Sequence, residues 1–198
     1  MAAIVAAAKD PAYPATIACV LSNRPDAKGL ETAAANGIPA LCVDHKHFAS
    51  REAFEDELNR QLDALDVDFV VLAGFMRVLT ARFIGHWDGK LVNIHPSLLP
   101  SYRGLHTHER AIADGVKLHG CTVHFVVPEL DAGPIIAQAA VPVLTEDTPD
   151  SLAARVLAVE NALYPRVVAG LAAGRIVLAG DRVIIDGPAA DGALISLA

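Results

Sequence analysis

The chain of 198 residues carries 23 acidic against 16 basic side chains, a formal net charge of -7 and a pI near 5.5, so it lacks the excess of Lys and Arg that nucleic-acid phosphates demand. Its hydrophobic content of 53% is in good part alanine, and charged residues interrupt every apolar run before the roughly 18 needed to span a bilayer. What remains is one α/β domain over residues 1–198 that acts on small soluble molecules, with no nucleic acid and no membrane as partner and the cytoplasm as the simplest address.

The first residues, Met1 to Lys9, lack a basic leader and read as an Ala-rich helix over Ala2 to Lys9 rather than a targeting signal. Apolar runs then recur at Thr16 to Leu21, Ala40 to Val43, Phe69 to Leu72 and Leu91 to Ile94, and each reads as a strand. Helical patterns over Ala27 to Asn36, Ser50 to Leu65, His108 to Asp114 and Ser151 to Ala173 alternate with them, the last capped by Asp150 or Ser151 after Pro149. Cys121 to Val126 and Ile135 to Val141 are two further strands, joined by a loop, Pro128 to Pro134, whose Pro and Gly forbid regular structure. Arg175 to Leu178 and Val183 to Ile185 flank Ala179-Gly180-Asp181-Arg182 as a C-terminal hairpin, before a Gly/Ala-rich tail expected to be mobile. The alternation predicts a mostly parallel central sheet with helices on both faces. Cys19, Cys42 and Cys121 are odd in number and widely spaced among apolar neighbours, so they read as buried thiols and not as disulfide or zinc partners.

The chemistry concentrates at Asn93-Ile94-His95-Pro96. If Lys90 to His95 is a strand ending at a sheet rim, Asn93 and His95 leave it on the same face, and Pro96 stops it. His95 can take and return a proton near neutrality, although a core histidine bonded to backbone is the competing reading. Asn93 can donate its amide to a carbonyl oxygen as charge develops there, or simply cap a turn. Asp131, on a loop bounded by Gly133 and Pro134, can sustain an imidazolium at His95 directly or through water; an ordinary Asx-turn is the alternative. The segment Pro100 to His108 follows the strand directly and is expected to border the pocket. His106, His108, His119 and His124 lack convincing metal-ligand spacing; His124 either lines the pocket or sits in the core, and His119 is expected to face solvent. Ser97 stands in no nucleophile-elbow context. Leu72, Met76 and Leu79 offer apolar walls for a flat heterocycle, against a simpler reading as core packing.

Leu72-Ala73-Gly74-Phe75-Met76-Arg77, Asn93 to Pro100, Gly104-Leu105-His106-Thr107-His108, His124-Phe125-Val126 and Asp131-Ala132-Gly133-Pro134 together resemble the phosphoribosylglycinamide formyltransferases, within the folate-dependent formyltransferase superfamily. The resemblance runs from Thr16 through Arg175 and implies a Rossmann-like formyltransferase fold. It also implies transfer of a formyl group from 10-formyltetrahydrofolate to the amine of glycinamide ribonucleotide in purine biosynthesis, without a metal, by a monomer or homodimer. By the family pattern Asn93, His95 and Asp131 are catalytic. Arg51, Leu72, Met76, Arg77, Val78, Leu79, Asn93 and the loop residues Val127, Pro128, Glu129, Leu130 and Asp131 hold the folate, while Ile94, Pro96 and Glu160 meet the ribonucleotide. Asn161 stands where the family usually has His.

One departure concerns the beginning of the chain. Family members open with a buried strand and a glycine-serine-asparagine loop that holds the substrate phosphate, and Met1-Ala2-Ala3-Ile4-Val5 aligns with the helix after that loop. The expectation is a domain truncated at its N-terminus relative to the family, with a gap in the sheet and weak activity. Two other functions compete: hydrolysis of formyltetrahydrofolate, and a non-catalytic folate- or nucleotide-binding module.

Overall fold

The protein is described over residues 1–187 by a computed structural model. A short helix α1 (Ala2–Ala7) leads to β1 (Val20–Ser22), α2 (Lys28–Ala35), β2 (Ala40–Cys42), α3 (Arg51–Asp63) and β3 (Val70–Leu72). Then come α4 (Ala81–His86), β4 (Leu91–His95), α5 (Thr107–Ala113), the long strands β5 (Leu118–Phe125) and β6 (Ile135–Pro142), α6 (Pro149–Ala172), β7 (Ile176–Ala179) and β8 (Arg182–Ile185). Strands β3, β4, β5 and β6 form one sheet in that order, with β3 and β4 parallel and the remaining pairs antiparallel. Strands β1 and β2 form a separate parallel pair, and β7 and β8 the expected hairpin. The tail expected to be mobile lies outside the described residues.

The helices start where side chains can satisfy their free N–H groups. Ser50 accepts from Ala53 N at the start of α3, whose Phe54, Leu58 and Leu62 form one buried stripe. For α6 the cap is Thr148, not Asp150 or Ser151: its hydroxyl accepts from Ser151 N while Ser151 Oγ accepts from Thr148 N. Pro149 fits the first helical position because no N–H is needed there, which moves the start two residues ahead of the sequence expectation. Helix α4 has no counterpart in the sequence reading. Thr80 caps it by accepting from Phe83 N, and both Thr80 N and its hydroxyl donate to the Glu55 carboxylate on α3.

Three apolar clusters hold the layers together. Val92, Val123 and Phe125 of the sheet pack against Tyr164, Val167 and Leu171 of α6; Leu91 meets Phe54, Phe83 and Trp87 of α3, α4 and the turn after α4; Cys121 and Val141 meet Leu152 and Val156 of α6. Leu91 and Val92 are adjacent and serve opposite faces, as a central strand covered on both sides requires. The Tyr164 hydroxyl donates to Leu72 O and Val92 O and so pins α6 across the ends of β3 and β4.

Between β1 and β3 the sheet is interrupted. A cavity of about 950 Å³ runs there, lined by Ile17 to Leu21 on one side and Phe69 to Leu72 on the other, and covered by Ile4 and Val5 of α1, Leu58 and Leu62 of α3 and Leu171 of α6. The segment from Thr16 to Cys19, predicted as strand, therefore joins no ladder among the described residues: the pairing with β2 begins only at Val20. Of the three cysteines Cys121 is buried as expected, with burial pushing its thiol up to about 12, whereas Cys42 is exposed and Cys19 half-buried. Cys42 lies on β2, and its thiol is left uncovered there.

Candidate active site

Strand β4 ends at His95, and β5 and the loop after it close around that end. The register sets Asn93 between Leu72 and His124 and sets His95 opposite Thr122. His124 donates from Nδ1 to Phe125 O at 2.8 Å, which leaves its Nε2 lone pair to accept from Asn93 Nδ2 at 3.4 Å. Burial lowers the pKa of His124, so the neutral ring this arrangement needs is the favoured one, although the Phe125 carbonyl and Asp131 pull the other way. One amide proton and the carbonyl of Asn93 stay available to a ligand.

His95 is 6% exposed, and both of its ring nitrogens meet acceptors. Nε2 lies 2.9 Å from Tyr102 O and Nδ1 3.4 Å from Asp131 Oδ2. Nε2 thus carries its proton toward the Tyr102 carbonyl, and Nδ1 faces the Asp131 carboxylate. Asp131 is held in turn by Gly104 N, which donates to Oδ2 at 2.8 Å, and its Oδ1 lies 3.9 Å from His124 Nε2. Its backbone has φ 49°, a conformation that L residues other than Asn and Asp rarely adopt, and Gly133 follows where a Cβ would come within 1.8 Å of Phe125 O. The loop thus brings its carboxylate over the strand end through a strained turn and a close backbone approach.

An amide donor, an imidazole with two acceptors and a carboxylate sit together on one rim. That is equipment for stabilising a tetrahedral oxyanion and moving a proton, with no nucleophilic side chain among the three. Residues 1–168 match the formyl transferase family model. The chain belongs to the formyl transferase family.

It is 46% identical over 185 residues to the phosphoribosylglycinamide formyltransferase of Escherichia coli K12, which covers 93% of this chain and 87% of that protein. It is 51% identical over 164 residues to the trifunctional purine biosynthetic protein adenosine-3 of Drosophila melanogaster, and there spans 83% of its own length but 12% of that protein. Among solved structures, the phosphoribosylglycinamide formyltransferase of Coxiella burnetii in complex with CHES superposes with a TM-score of 0.89 at 44% identity, over 93% of this chain and 87% of the other.

In this formyl transferase the other expected ligand contacts fall into two groups. Met76 is 75% exposed, and Val78, Pro128, Glu129 and Leu130 are exposed as well, while Leu72 and Val127 are half-buried. Leu79, by contrast, is buried in the cluster with Phe54 and Phe83, so it serves the core. Arg77 stacks its guanidinium 5.7 Å from the Phe54 ring, with its Nε buried and without a hydrogen-bond partner among the described residues. Arg51 opens α3 and is exposed, and Ile94 and Pro96 are half-buried on either side of His95. Glu160 on α6 is half-buried; burial raises its carboxyl pKa, and the N-terminal ammonium of Met1 opposes that rise.

Two partners of the site were not legible in the sequence because they are backbone groups: the Tyr102 carbonyl and the Gly104 amide. His119 corrects an expectation. It is 1% exposed rather than solvent-facing, because its strand β5 is buried along almost all of its length, and its Nε2 meets His108 Nδ1 at 3.2 Å. Burial, helped by His108, pulls its pKa from the ordinary 6.5 to about 4. With the folded value below the unfolded one, stability is fully present above about pH 6.5 and is lost as pH falls toward 4. Melting temperatures measured across that window should fall more steeply for the native chain than for His119→Asn; parallel curves would assign the acid loss to other groups.

Proposed function

We propose that the chain transfers a formyl group from 10-formyltetrahydrofolate to the amino group of glycinamide ribonucleotide, as a cytoplasmic enzyme of purine biosynthesis. The observation that carries this reading is the convergence of Asn93, His95 and Asp131 on one rim, in a formyl transferase of which the E. coli relative covers 93%. The amine attacks the formyl carbon directly. Asn93 donates to the oxygen as it becomes an oxyanion, while His95, whose Nε2–H is held by the Tyr102 carbonyl, offers its Nδ1 side, 3.4 Å from Asp131, to the reacting atoms. The C–N bond to the folate then breaks, and a proton lost by the attacking amine is returned to the departing folate nitrogen through His95, with Asp131 holding the ring charged. Much of the acceleration comes from holding two substrates in attack geometry, which intramolecular analogues value at up to roughly 7–11 kcal/mol.

The exposed apolar side chains Met76, Val78 and Leu130 supply walls for the flat folate ring, with Arg51, Arg77, Val127, Pro128 and Glu129 beside them. Ile94, Pro96 and Glu160 are assigned to the ribonucleotide. The cavity between β1 and β3 is the natural seat of the strand that the family resemblance leads one to expect, followed by a loop for the substrate phosphate.

Initial-velocity measurements with both substrates varied test the reaction. Intersecting double-reciprocal lines, from a complex of enzyme with both substrates, are expected; parallel lines would mean a covalent formyl-enzyme. Formate release at the same rate without the amine would assign the hydrolase, and folate binding without turnover in a form with the cavity filled would assign the binding module.

A further inference from the structure

We propose that Thr122 and Gln138 are positioning residues for His95, acting through the backbone of residues 96–104. The register of the sheet sets the three in a row: His95 on β4 is opposite Thr122 on β5, which is opposite Gln138 on β6. Thr122 is 0% exposed, and its hydroxyl uses every hydrogen bond it has. It donates to Ser97 O at 2.7 Å and accepts from Leu99 N at 3.0 Å and from Gln138 Nε2 at 3.0 Å. A hydroxyl has one proton and two lone pairs, so its capacity is filled. Gln138 reaches from the edge strand to donate also to Leu99 O at 2.9 Å, and Ser97 Oγ donates to Ser101 O at 2.6 Å. These bonds fix the segment leaving β4 at Ser97, Leu99 and Ser101.

The next residues of that segment carry both outer partners of the site. Tyr102 O receives His95 Nε2, and Gly104 N holds the Asp131 carboxylate that faces His95 Nδ1. A shift of the segment therefore moves the acceptor on one side of the imidazole and the anchor of the acceptor on the other. Among the described residues Thr122 and Gln138 make no hydrogen bond to the ring or to Asp131; they set where its partners stand. The titratable groups around His95 are Asp131 and His124 on the loop side and His108 and His119 behind it, where the His119 ring also packs edge-on against Tyr102, 5.8 Å away, and meets the Pro96 backbone.

The inference rests on the formyl-transfer reading for its kinetic consequence only, so the experiment pairs kinetics with a signal that needs no turnover. Thr122→Val keeps the shape and removes three hydrogen bonds, Thr122→Ser keeps the hydroxyl, and Gln138→Leu removes the outer amide from an exposed strand if the valine variant fails to fold. In Thr122→Val, and more weakly in Gln138→Leu, kcat should fall by between about tenfold and a hundredfold with KM for either substrate little changed. The ¹⁵N shifts of the His95 ring should depart from those of the native chain, and Thr122→Ser should restore both. A lowered melting temperature with native kcat and a native His95 ring spectrum would overturn the proposal and leave the web as packing. A protein that shows the His95 change but transfers no formyl group in any form would uphold the positioning role and refute the reaction assigned above.

Discussion

His95→Ala should lower kcat for formyl transfer by roughly a hundred- to ten-thousandfold and leave KM for both substrates close to native. The direction of this split follows from geometry. His95 is nearly enclosed, bonded on one side to a backbone carbonyl and faced on the other by Asp131, so its surface adds little to ground-state binding and its protons matter when charge develops on the formyl oxygen. Asn93→Ala removes a single oxyanion donor and should cost on the order of 10²–10³ in kcat. The double variant should be little worse than His95→Ala, because donors to one oxygen act as a unit. Asp131→Asn is the subtler test. Asparagine tolerates the positive φ of that position and, with its carbonyl oxygen in the place of Oδ2, can still accept from Gly104 N, but it puts an NH₂ in the place of Oδ1 on the His124 side and removes the negative charge that favours an imidazolium at His95. Turnover should fall with stability little changed. Rates within threefold of native for His95→Ala would remove the imidazole from the mechanism.

Filling the cavity between β1 and β3 has the second large expected effect. Among the described residues no ladder joins the two strand edges that face that space, and helices cover it on both sides, so a segment lying there must be extended and apolar on both faces. Each apolar side chain of such a segment is worth about 1.5–3 kcal/mol when buried and each new backbone hydrogen bond about 0.5–1.5 kcal/mol, against about 1–2 kcal/mol per residue for ordering the chain. The balance favours the filled form by a few kcal/mol, and at about 2–4 °C per kcal/mol for a domain of this size the melting temperature should rise by at least about 5 °C. A form carrying an apolar strand and a glycine-serine-asparagine loop ahead of Met1 should show that rise together with a lower KM for the ribonucleotide. The same strand with alternate residues changed to Asp should show neither. Equal melting temperatures and equal KM with and without the apolar strand would mean that the cavity is not a strand seat.

Much of this architecture was legible in the residues. The alternation of β-branched runs with helical patterns placed every strand of the sheet to within a few residues, because a strand buried on both faces needs a continuous apolar run and Leu91-Val92 supplies one. The rim on which Asn93, His95 and Asp131 meet was legible for a related reason: the two-residue spacing of Asn93 and His95 and the Pro96 stop are local signals, and Gly133 marks the close approach that carries Asp131 in. Other features depended on contacts distant in sequence. Helix α4 is short, and its start is fixed by Thr80 reaching Glu55 on another helix; His119 is buried by the layers packed on β5, which its own neighbours in the chain do not announce. The partners Tyr102 O and Gly104 N are main-chain atoms and leave no trace in residue identity. Leu79 is buried with Phe54 and Phe83, and an apolar residue beside a pocket reads the same in the sequence as one beneath it.

The most direct test of the central claim follows the formyl carbon itself. With ¹³C in the formyl group of 10-formyltetrahydrofolate, glycinamide ribonucleotide present and the cavity filled, the account predicts that the label appears in the formylated ribonucleotide, that little free formate forms, and that His95→Ala slows its appearance at least about a hundredfold. Label accumulating as formate at the same rate with and without the ribonucleotide would contradict it.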